Sequence, residues 1–469
     1  MASLTRPAHR TIADGREGWK DATGEVRLEN ACMEGVHRAR RGFLHHPTHT
    51  MQIQSVLRRL YPQPGFAFGA ITPVKRNGRL VGLDVAIGAR KGAKAVCSRC
   101  MKRRPLYDQL AVRRFLMVPL WALAVTFVYA MRRVDCKRCG VCVELVPWAD
   151  GKSPCTHAFT WFVASWAKTL SWQETARRFA TSWDIVFRCI QRAVHWGLEN
   201  RPLDGIHAIG VDELSWKKGQ KYLTLVYQLD AGARRLLFVG KDRTAETFRD
   251  FFDILGGERC LAIRFVASDM WRAFISVVQD HAKNAVHILD RFHVAQKLSQ
   301  CVDDVRRAEV RRLRERGLRP VLAKMRWLLL KRPEKLTAKE RPRLRDLLTI
   351  NLRTTRAYLL KEALQPFWNY KSPIWAGRFL DRWTTMAMRS RLPPFKKFAA
   401  TLRKHKPLIL NWFKARKLLP LGAVEGFNNK ARITTRKAYG FRTYEHAEIA
   451  LYHALGNLPE PDWLTHKFA

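Results

Sequence analysis

The segment HAIGVDELSWKKGQKYLTLVYQLDAGARRLLFVGKDR, residues 207–243, decides the fold class. It contains three consecutive apolar runs separated by short polar turns, a pattern typical of antiparallel strands. TAETFRDFFDIL follows with helical periodicity and an N-cap at Thr244. AIRFVASDM and NAVHILD predict a fourth and a fifth strand, with a helix from Trp271 between them. This alternation of strands and amphipathic helices predicts an α/β core.

Length, composition and charge restrict the class of protein. The chain has 469 residues, which at ~150 residues per domain corresponds to about three domains. Apolar residues make up 47% of the sequence, so the chain is not intrinsically disordered. Lys and Arg number 85 against 40 Asp and Glu, a formal net charge of +45. This excess predicts a polyanionic partner, first of all nucleic acid. A ribosome-associated or aggregation-prone basic protein is the alternative.

A block of cysteines predicts a metal site in the N-terminal third. Six of the ten cysteines lie between residues 97 and 155, and Cys97, Cys100, Cys136 and Cys139 form two CxxC pairs. Four thiolates are the tetrahedral set that Zn²⁺ prefers. The 35 residues between the pairs exceed the usual ~15–20, and two or three strands would fill them. A disulfide or a redox CxxC motif is the alternative, and Cys142 could replace one ligand.

One apolar run has the length of a short membrane span. Residues 115–131 are 17 residues without a charge, at the lower end of the ~17–25 that a spanning helix needs. Arginine pairs flank the run on both sides, so there is no positive-inside asymmetry. Pro119 and the many β-branched and aromatic residues favour strands. We therefore expect a buried strand pair here and no membrane association.

Residues 171–194 have the spacing of a helix-turn-helix. Ser171 is a candidate N-cap of the first helix, with Glu174 completing a capping box. Ser182 is a candidate N-cap of the second helix, whose apolar face is regular. In a helix-turn-helix the second helix enters the major groove, so we expect Ser182, Arg188 and Arg192 to contact DNA. An ordinary helical hairpin is the alternative.

Two acidic residues stand at the ends of predicted strands. Asp212 lies in IGVDELSW and Asp269 in FVASDMWRAF, where two carboxylates could share divalent metal ions. Each could instead be a turn or capping residue. Glu425, in AVEGFNNKARITTRKAYGFRT, is the candidate third carboxylate of a two-metal site for phosphoryl transfer. Glu213 is not assigned, because neighbouring side chains on a strand point to opposite faces.

The sequence resembles the bacterial insertion-sequence transposases of the ISL3 type, a branch of the DDE transposases. The resemblance runs from about Met51 to about Leu458 and depends on five motifs in combination: DELSWKKGQKYLT, GKDRTAETFRDFF, SDMWRAF, DRFHVAQKL and VEGFNNKARITTRKAYGF. It implies an RNase H-like α/β catalytic core with an all-α insertion, preceded by a zinc-binding module and a helix-turn-helix. The family's three acids correspond to Asp212, Asp269 and Glu425. Asp290 and His293 match its Asp-x-x-His signature and are expected to organise the site.

The resemblance also implies a reaction and its partners. Two Mg²⁺ or Mn²⁺ ions at the acids would support nicking at the element end and joining of the freed 3′-OH to target DNA. A structural Zn²⁺, terminal inverted repeats and target DNA as substrates, and at least a homodimer on DNA are expected, in a bacterial cytoplasm at the nucleoid. Further DNA-binding residues, unless they form only a solvated basic face, are expected to be Lys430, Arg432 and Arg436.

The expected organisation comprises a leader, two DNA-binding modules and a divided core. Prolines 320, 333, 342 and 393–394 are expected to break the helices of the insertion, and a helix is expected from near Val424. The first 50 residues are either upstream of a true start at Met51 or a basic arm that binds phosphates. The domain bounds are 1–50 for the leader, 51–150 for the N-terminal zinc-binding domain, 151–203 for the helix-turn-helix, 204–293 with 421–456 for the core and 294–420 for the helical insertion.

Three other functions remain open from the sequence. The first is a DNA-binding regulator derived from a transposase, which would keep the core only as a scaffold. The second is a structure-specific nuclease or resolvase that cuts without joining. The third is a membrane protein, which the run at 115–131 would require.

Overall fold

The computed structural model describes residues 53–464, apart from 218, 220, 319–321, 351, 416–421 and 439. The expectations for residues 1–50, Met51 and Pro320 therefore lie outside the described residues. The N-terminal region begins with helix α1 (Ile53–Leu60) and continues with strands β1 (Phe66–Arg76), β2 (Arg79–Ala89), β3 (Ala95–Val96), β4 (Arg103–Arg104), β5 (Leu106–Leu120), β6 (Leu123–Cys136) and β7 (Gly140–Val143).

The apolar run 115–131 is a strand pair, as predicted. It forms the ends of β5 and β6, which pair antiparallel in a sheet of order β1-β2-β6-β5, with β7 also paired to β6. Alternate side chains of β6 are buried, as expected for a strand with one face on a core. Phe66, Phe115 and Tyr129 pack edge-on around the buried Trp148. No helix among the described residues is long and apolar enough to cross a membrane.

The turn between β5 and β6 has an unusual backbone. Leu120 pairs with Leu123, so only two residues form the turn. These residues, Trp121 and Ala122, have positive φ angles of 48° and 64°. Positive φ at both positions is typical of a type I′ turn, which strongly favours Asn-Gly. A side chain with a Cβ in this region costs ~1–2 kcal/mol, so the turn is strained.

Three helices follow the sheet: α2 (His157–Thr169), α3 (Trp172–Arg178) and α4 (Trp183–Asn200). The predicted caps are present. Ser171 Oγ accepts a hydrogen bond from the backbone N–H of Glu174, and Ser182 Oγ accepts one from that of Ile185, each at 3.2 Å. These caps satisfy amide groups that a helix leaves unpaired at its start. The two-helix spacing predicted from 171–194 is thus observed.

The α/β region contains the five predicted strands. Strands β8 (Ala208–Lys217), β9 (Lys221–Gln228) and β10 (Arg235–Lys241) are antiparallel, whereas β11 (Phe265–Ser268) and β12 (Val286–Leu289) extend the sheet in parallel, in the order β10-β9-β8-β11-β12. Helices α5 (Ala245–Leu255), α6 (Gly257–Ala262) and α7 (Arg272–His281) connect them. Thr244 caps α5 as predicted, and Trp271 is the N-cap of α7 rather than its first residue.

A helical region follows β12. It comprises α8 (Arg291–Glu315), α9 (Arg326–Leu330), α10 (Glu340–Thr349), α11 (Arg353–Leu364), α12 (Pro373–Arg389), α13 (Pro393–Lys404) and α14 (Lys406–Ala415), with 3₁₀ turns at Pro333–Lys335 and Gln365–Asn369. The predicted breaks at prolines 333 and 393–394 are observed, because each lies at the start of a new element after the preceding helix has ended. Pro342 does not break a helix. It lies in the first turn of α10, where its missing N–H would be unpaired in any case.

The C-terminal block contains two helices, where one was expected from near Val424. Helix α15 (Gly422–Lys437) and helix α16 (Tyr444–Leu455) are followed by a 3₁₀ turn at Asp462–Leu464. Gly440, with φ of 94°, lies between the two helices, and Thr443 caps the second through the backbone N–H of His446. A glycine in this conformation and a new N-cap end the first helix and begin the second.

The strained β5–β6 turn makes a testable prediction. Replacing Ala122 by Gly should relieve the strain at one position, and the greater freedom of glycine in the unfolded chain offsets part of the gain. We expect a net stabilisation of about 0.5–1 kcal/mol, seen as a two- to five-fold slower amide hydrogen exchange in β5 and β6 near the turn. Ala93→Gly, in the loop before β3, is the control. Faster exchange in Ala122→Gly would contradict the prediction.

Candidate active site and metal-binding cysteines

The parallel pairing of β8 and β11 places two of the predicted acids side by side, at the edge where the parallel part of the sheet ends. Asp269 directly follows β11, as predicted, whereas Asp212 lies within β8, which continues to Lys217 in its pairing with β9, and not at the end of a strand. Gly210 and Ala267 are the last paired residues in the register of these strands. Asp212 and Asp269 each lie two residues beyond that pair. Equal distances along neighbouring parallel strands bring residues to the same edge and the same face. Asp212 is buried and Asp269 is half-buried.

Helix α15, which carries the third predicted acid, packs directly on β8. A Cβ built on Gly210 would lie 2.6 Å from Val424 Cγ2, so a larger residue would push the helix away. Asn428, one turn after Val424, is buried and its side-chain amide donates a hydrogen bond to Asp212 Oδ2. The Oδ1 atom of Asn428 accepts a hydrogen bond of 3.0 Å from Tyr227 Oη. Glu425 lies in the first turn of the helix and is exposed.

Asp290 and His293 lie at the start of α8 beside the same edge. Asp290 is buried and caps α8, its Oδ1 accepting a 2.8 Å hydrogen bond from the backbone N–H of Phe292. Burial raises the pKa of Asp290, and the charges of Asp212 and Glu425 add to the rise. His293 Nε2 lies 3.6 Å from Asp212 Oδ1. Burial lowers the pKa of His293, but the hydrogen bond and charge of Asp212 outweigh it and the pKa is raised.

Glu213 and Arg243 also belong to the site, although the sequence did not assign them. Arg243 forms an ion pair with Glu213, and its Nη2 lies 3.5 Å from Asp269 Oδ2. The guanidinium group of Arg243 lies 4.6 Å from the ring centre of Trp271. Burial raises the pKa of Glu213 to about 7, with further contributions from Asp269 and Asp212 and an opposing one from Arg243. The alternation of side chains along β8 led us to leave Glu213 out of the predicted site. This alternation describes one strand, whereas Glu213 reaches the site through Arg243, which lies outside that strand.

The predicted acids do not form one compact ligand set. Among the described residues, three or more potential ligand atoms lie within 4.8 Å of one another only at the four cysteines. The three acids do not meet this distance. Asp212 and Asp269 share an edge. Burial is the main cause of the raised pKa of Asp290, and the charge of Glu425 adds the smallest contribution to it. Asn428 could have been found from its sequence, because it is a polar residue one turn from Glu425 on the same helix.

Cys97, Cys100, Cys136 and Cys139 lie together as predicted. Their Sγ atoms are close enough to hold one metal ion, and β5 and β6 fill most of the long gap between the two pairs. The backbone N–H of Cys100 lowers the pKa of Cys97, which favours the thiolate form that binds metals. Cys142 Sγ lies 3.2 Å from Cys97 Sγ but is not part of this group.

The predicted DNA-binding residues are all exposed, on two helices. On α4, Trp183 and Phe187 pack against His446 of α16, so this face is covered. Arg188 and Arg192 remain exposed, while the Ser182 hydroxyl is used as the helix cap. On α15 the exposed residues are Lys430, Arg432 and Arg436.

Comparison with known proteins identifies the class. The family model of DDE transposases of the ISL3 type, described as transposase, matches residues 209–451, a span that includes Asp212, Asp269 and Glu425. The transposase for insertion sequence element IS1001 of Bordetella parapertussis is 29% identical over 369 residues, which cover 78% of this chain and 90% of that protein. The transposase for insertion sequence element IS1557 of Mycobacterium tuberculosis is 31% identical over 383 residues, 76% of this chain and 84% of that protein.

The chain is thus of the transposase class, a class of enzymes that act on DNA. It belongs to the ISL3 family of DDE transposases.

The raised pKa of Glu213 makes stability depend on pH. The folded protein keeps this proton up to pH about 7, whereas the unfolded chain releases it near 4.5, so wild-type stability falls as pH rises through that window. Glu213→Gln lacks this fall. Its free energy of unfolding relative to wild type should therefore increase across the window, by on the order of 1–2 kcal/mol, because solvent screens part of the effect on this incompletely buried carboxyl group. Urea unfolding at both ends of the window, without added divalent metal, measures this, and a pH-independent difference would contradict it.

Proposed function

We propose that this transposase binds the ends of its element, nicks the DNA there and joins the freed 3′-OH to target DNA. Asp212, Asp269 and Glu425 are the proposed catalytic acids. The observation that carries the proposal is the equal position of Asp212 and Asp269 beyond the last β8–β11 pair, with the helix of Glu425 packed on β8 at Gly210. Carboxylates gathered from neighbouring strands suit phosphoryl transfer because they concentrate oxygen ligands at one point.

The donor set fits Mg²⁺ or Mn²⁺. Both ions prefer carboxylate oxygens, and Asp212 and Asp269 offer these at the same sheet edge. Held there, a pair of such ions would activate water and stabilise the departing 3′ oxygen. Because Glu425 is exposed and outside any compact ligand set among the described residues, we propose that it joins the other two acids when metal and DNA bind.

The surrounding residues orient the acids. Asn428 holds one oxygen of Asp212 and is itself held by Tyr227. His293 Nε2 lies beside the other oxygen of Asp212, and this neighbour raises the pKa of His293 against the effect of burial. Arg243 restrains Asp269 and balances part of the negative charge. We assign these residues positioning roles, since each acts on the reaction through an acid rather than by touching DNA.

We infer that the core is RNase H-like with an all-α insertion. The sheet of three antiparallel strands followed by two parallel ones supports this assignment, as does the return of α15 to β8 after the helical region. Helix α8 begins at Arg291, slightly before the expected start of the insertion at 294. Asp290 and His293, at the start of this helix, belong to the candidate site. We therefore keep the proposed bounds of 204–293 with 421–456 for the core and 294–420 for the insertion.

Helices α3 and α4 are proposed to bind DNA as a helix-turn-helix. The exposed stripe of α4 contains acidic residues at both ends, Asp184 and Glu199, with Arg188 and Arg192 between them. Contacts to phosphates or bases are therefore expected mainly from the middle of the helix. Lys430, Arg432 and Arg436 on α15 would hold DNA close to Glu425. Because two element ends must be paired, we propose at least a homodimer on DNA, acting at the bacterial nucleoid.

The acids are tested by strand cleavage and joining on the element's own terminal DNA with Mg²⁺. Asp269→Asn should lose both steps by about 10³-fold or more, because charge stabilisation at such a site supplies several kcal/mol, while DNA binding persists. Asp253→Asn, an exposed aspartate of α5, is the matched control and should keep full activity.

Other results would support the competing functions. DNA binding without cleavage by the wild-type protein would indicate a regulator. Metal-dependent cleavage without joining would indicate a nuclease or resolvase. Full activity of Asp269→Asn would remove this residue from the catalytic set.

We propose that the cysteine cluster holds one structural Zn²⁺. Thiolates of this number and spacing suit tetrahedral zinc. Cys139→Ser should lose the metal and destabilise the N-terminal sheet, since metal binding and folding are coupled. Cys142→Ser, which removes the neighbouring thiol outside the cluster, should retain one zinc per chain. Metal analysis of both purified variants decides the point, and zinc loss in Cys142→Ser would contradict the assigned ligands.

A further inference from the structure

Two hairpins of the N-terminal sheet end at the same edge. Strands β2 and β6 are parallel neighbours, and Gly82 pairs with Ala124. Arg79 lies three residues before Gly82, and Trp121 lies three residues before Ala124. Adjacent strands are ~4.8 Å apart, so the β1–β2 turn and the β5–β6 turn are side by side.

The two turns share a geometry but not a sequence. In the β1–β2 turn, Asn77 and Gly78 have φ angles of 48° and 74°. In the β5–β6 turn, Trp121 and Ala122 have φ angles of 48° and 64°. The first turn has the residue pair that this backbone favours, and the second has a bulky aromatic residue in a strained position. The turn conformation therefore does not explain the presence of a tryptophan at position 121.

Trp121 contributes nothing to the core, because 79% of its surface is exposed. Lys75, Arg76 and Arg79 around the neighbouring turn are also exposed. Neither residues 66–83 nor residues 115–134 contain an aspartate or glutamate, so no acid on these strand ends balances the cations. We call these four residues the hairpin-tip surface.

We propose that the hairpin-tip surface contacts duplex DNA, with its cations on phosphates and the indole of Trp121 inserted against the base pairs. The inference rests on the proposed function, which makes DNA the substrate. Cations next to an exposed aromatic ring match a ligand that presents both phosphates and stacking surfaces. A second copy of the chain fits less well, because it would bring two sets of like charges together. This contact lies on a different module from the proposed recognition helix α4.

Because the β5–β6 turn is strained, Trp121 can be removed by substitutions that should stabilise the hairpin. A loss of DNA binding in such a variant cannot then be explained by unfolding. The double substitution Trp121→Asn with Ala122→Gly gives β5–β6 the same Asn-Gly pair as its neighbour, and should stabilise the hairpin while removing the indole. Ala122→Gly alone keeps the indole and is the matched control. The full-length proteins are titrated with a duplex bearing the element end, and with a random duplex of equal length carrying 2-aminopurine.

We expect Ala122→Gly to bind as wild type does, and the double variant to bind about ten-fold more weakly with no rise in 2-aminopurine fluorescence. The slope of log affinity against log salt concentration should be the same in the double variant as in wild type. In the triple variant Lys75→Gln, Arg76→Gln, Arg79→Gln, by contrast, this slope should fall in magnitude by about two to three, because three phosphate contacts are lost. This pattern separates insertion of the ring from phosphate contacts.

Several outcomes would overturn the inference. Equal affinity and equal fluorescence in the double variant and the control would do so. If the double variant bound DNA normally but lost binding to phosphatidylserine vesicles, the surface would be assigned to a membrane. If it lost only self-association in the absence of DNA, the surface would be assigned to a second copy of the chain. If wild type binds neither duplex, the proposed function fails as well. If wild type binds and cleaves, and the double variant binds equally, only the inference fails.

Discussion

The parallel register of β8, β11 and β12 is the constraint on which the candidate site depends. It places Asp212, Asp269 and Asp290 at one edge of the sheet, although they are far apart in the chain. Because side chains alternate along a strand, a slip of one residue would turn an acid to the opposite face. Parallel strands need crossover connections, and α5 to α7 provide them. Gly210 has no side chain, so Val424 of α15 can pack directly on β8 at this point.

Bringing acids together has an electrostatic cost that the fold offsets locally. Like charges and burial both favour the protonated form of a carboxyl group, as the raised pKa values of Glu213 and Asp290 show. Arg243 supplies counter-charge, Asn428 supplies a hydrogen bond, and His293 Nε2 lies 3.6 Å from Asp212, each in a different segment of the chain. The fold therefore supplies part of the positive potential at this edge before any metal binds, and a divalent ion would supply the rest.

Local patterns predicted the elements well, because their signals lie within a few residues. The five strands of the core, the caps at Thr244 and Ser182 and the strand pair at 115–131 all depend on short-range periodicity or capping. The grouping of the four cysteines was predicted from spacing, and the structure places them together. The errors occurred where local rules have exceptions: Pro342 is tolerated in the first turn of a helix. Arg243 and Glu213 could not be assigned, because their meeting depends on how separate elements pack.

The modules are connected by direct packing rather than by a free linker. Leu116 of β5 exchanges backbone hydrogen bonds of 2.8 and 2.9 Å with Pro154 and Thr156, at the start of α2. Helix α2 packs on α4, and α4 packs on α16 through Phe187 and His446. Helix α16 in turn meets the core sheet, where the hydroxyls of Tyr444 and Tyr452 bond the backbone of Val239. Under the proposed function, DNA held at the N-terminal sheet or at α4 is thereby held at a fixed distance from Asp212. The spacing between the sequence that is read and the bond that is cut then follows from side-chain packing, and a substitution in α16 would change it without touching DNA.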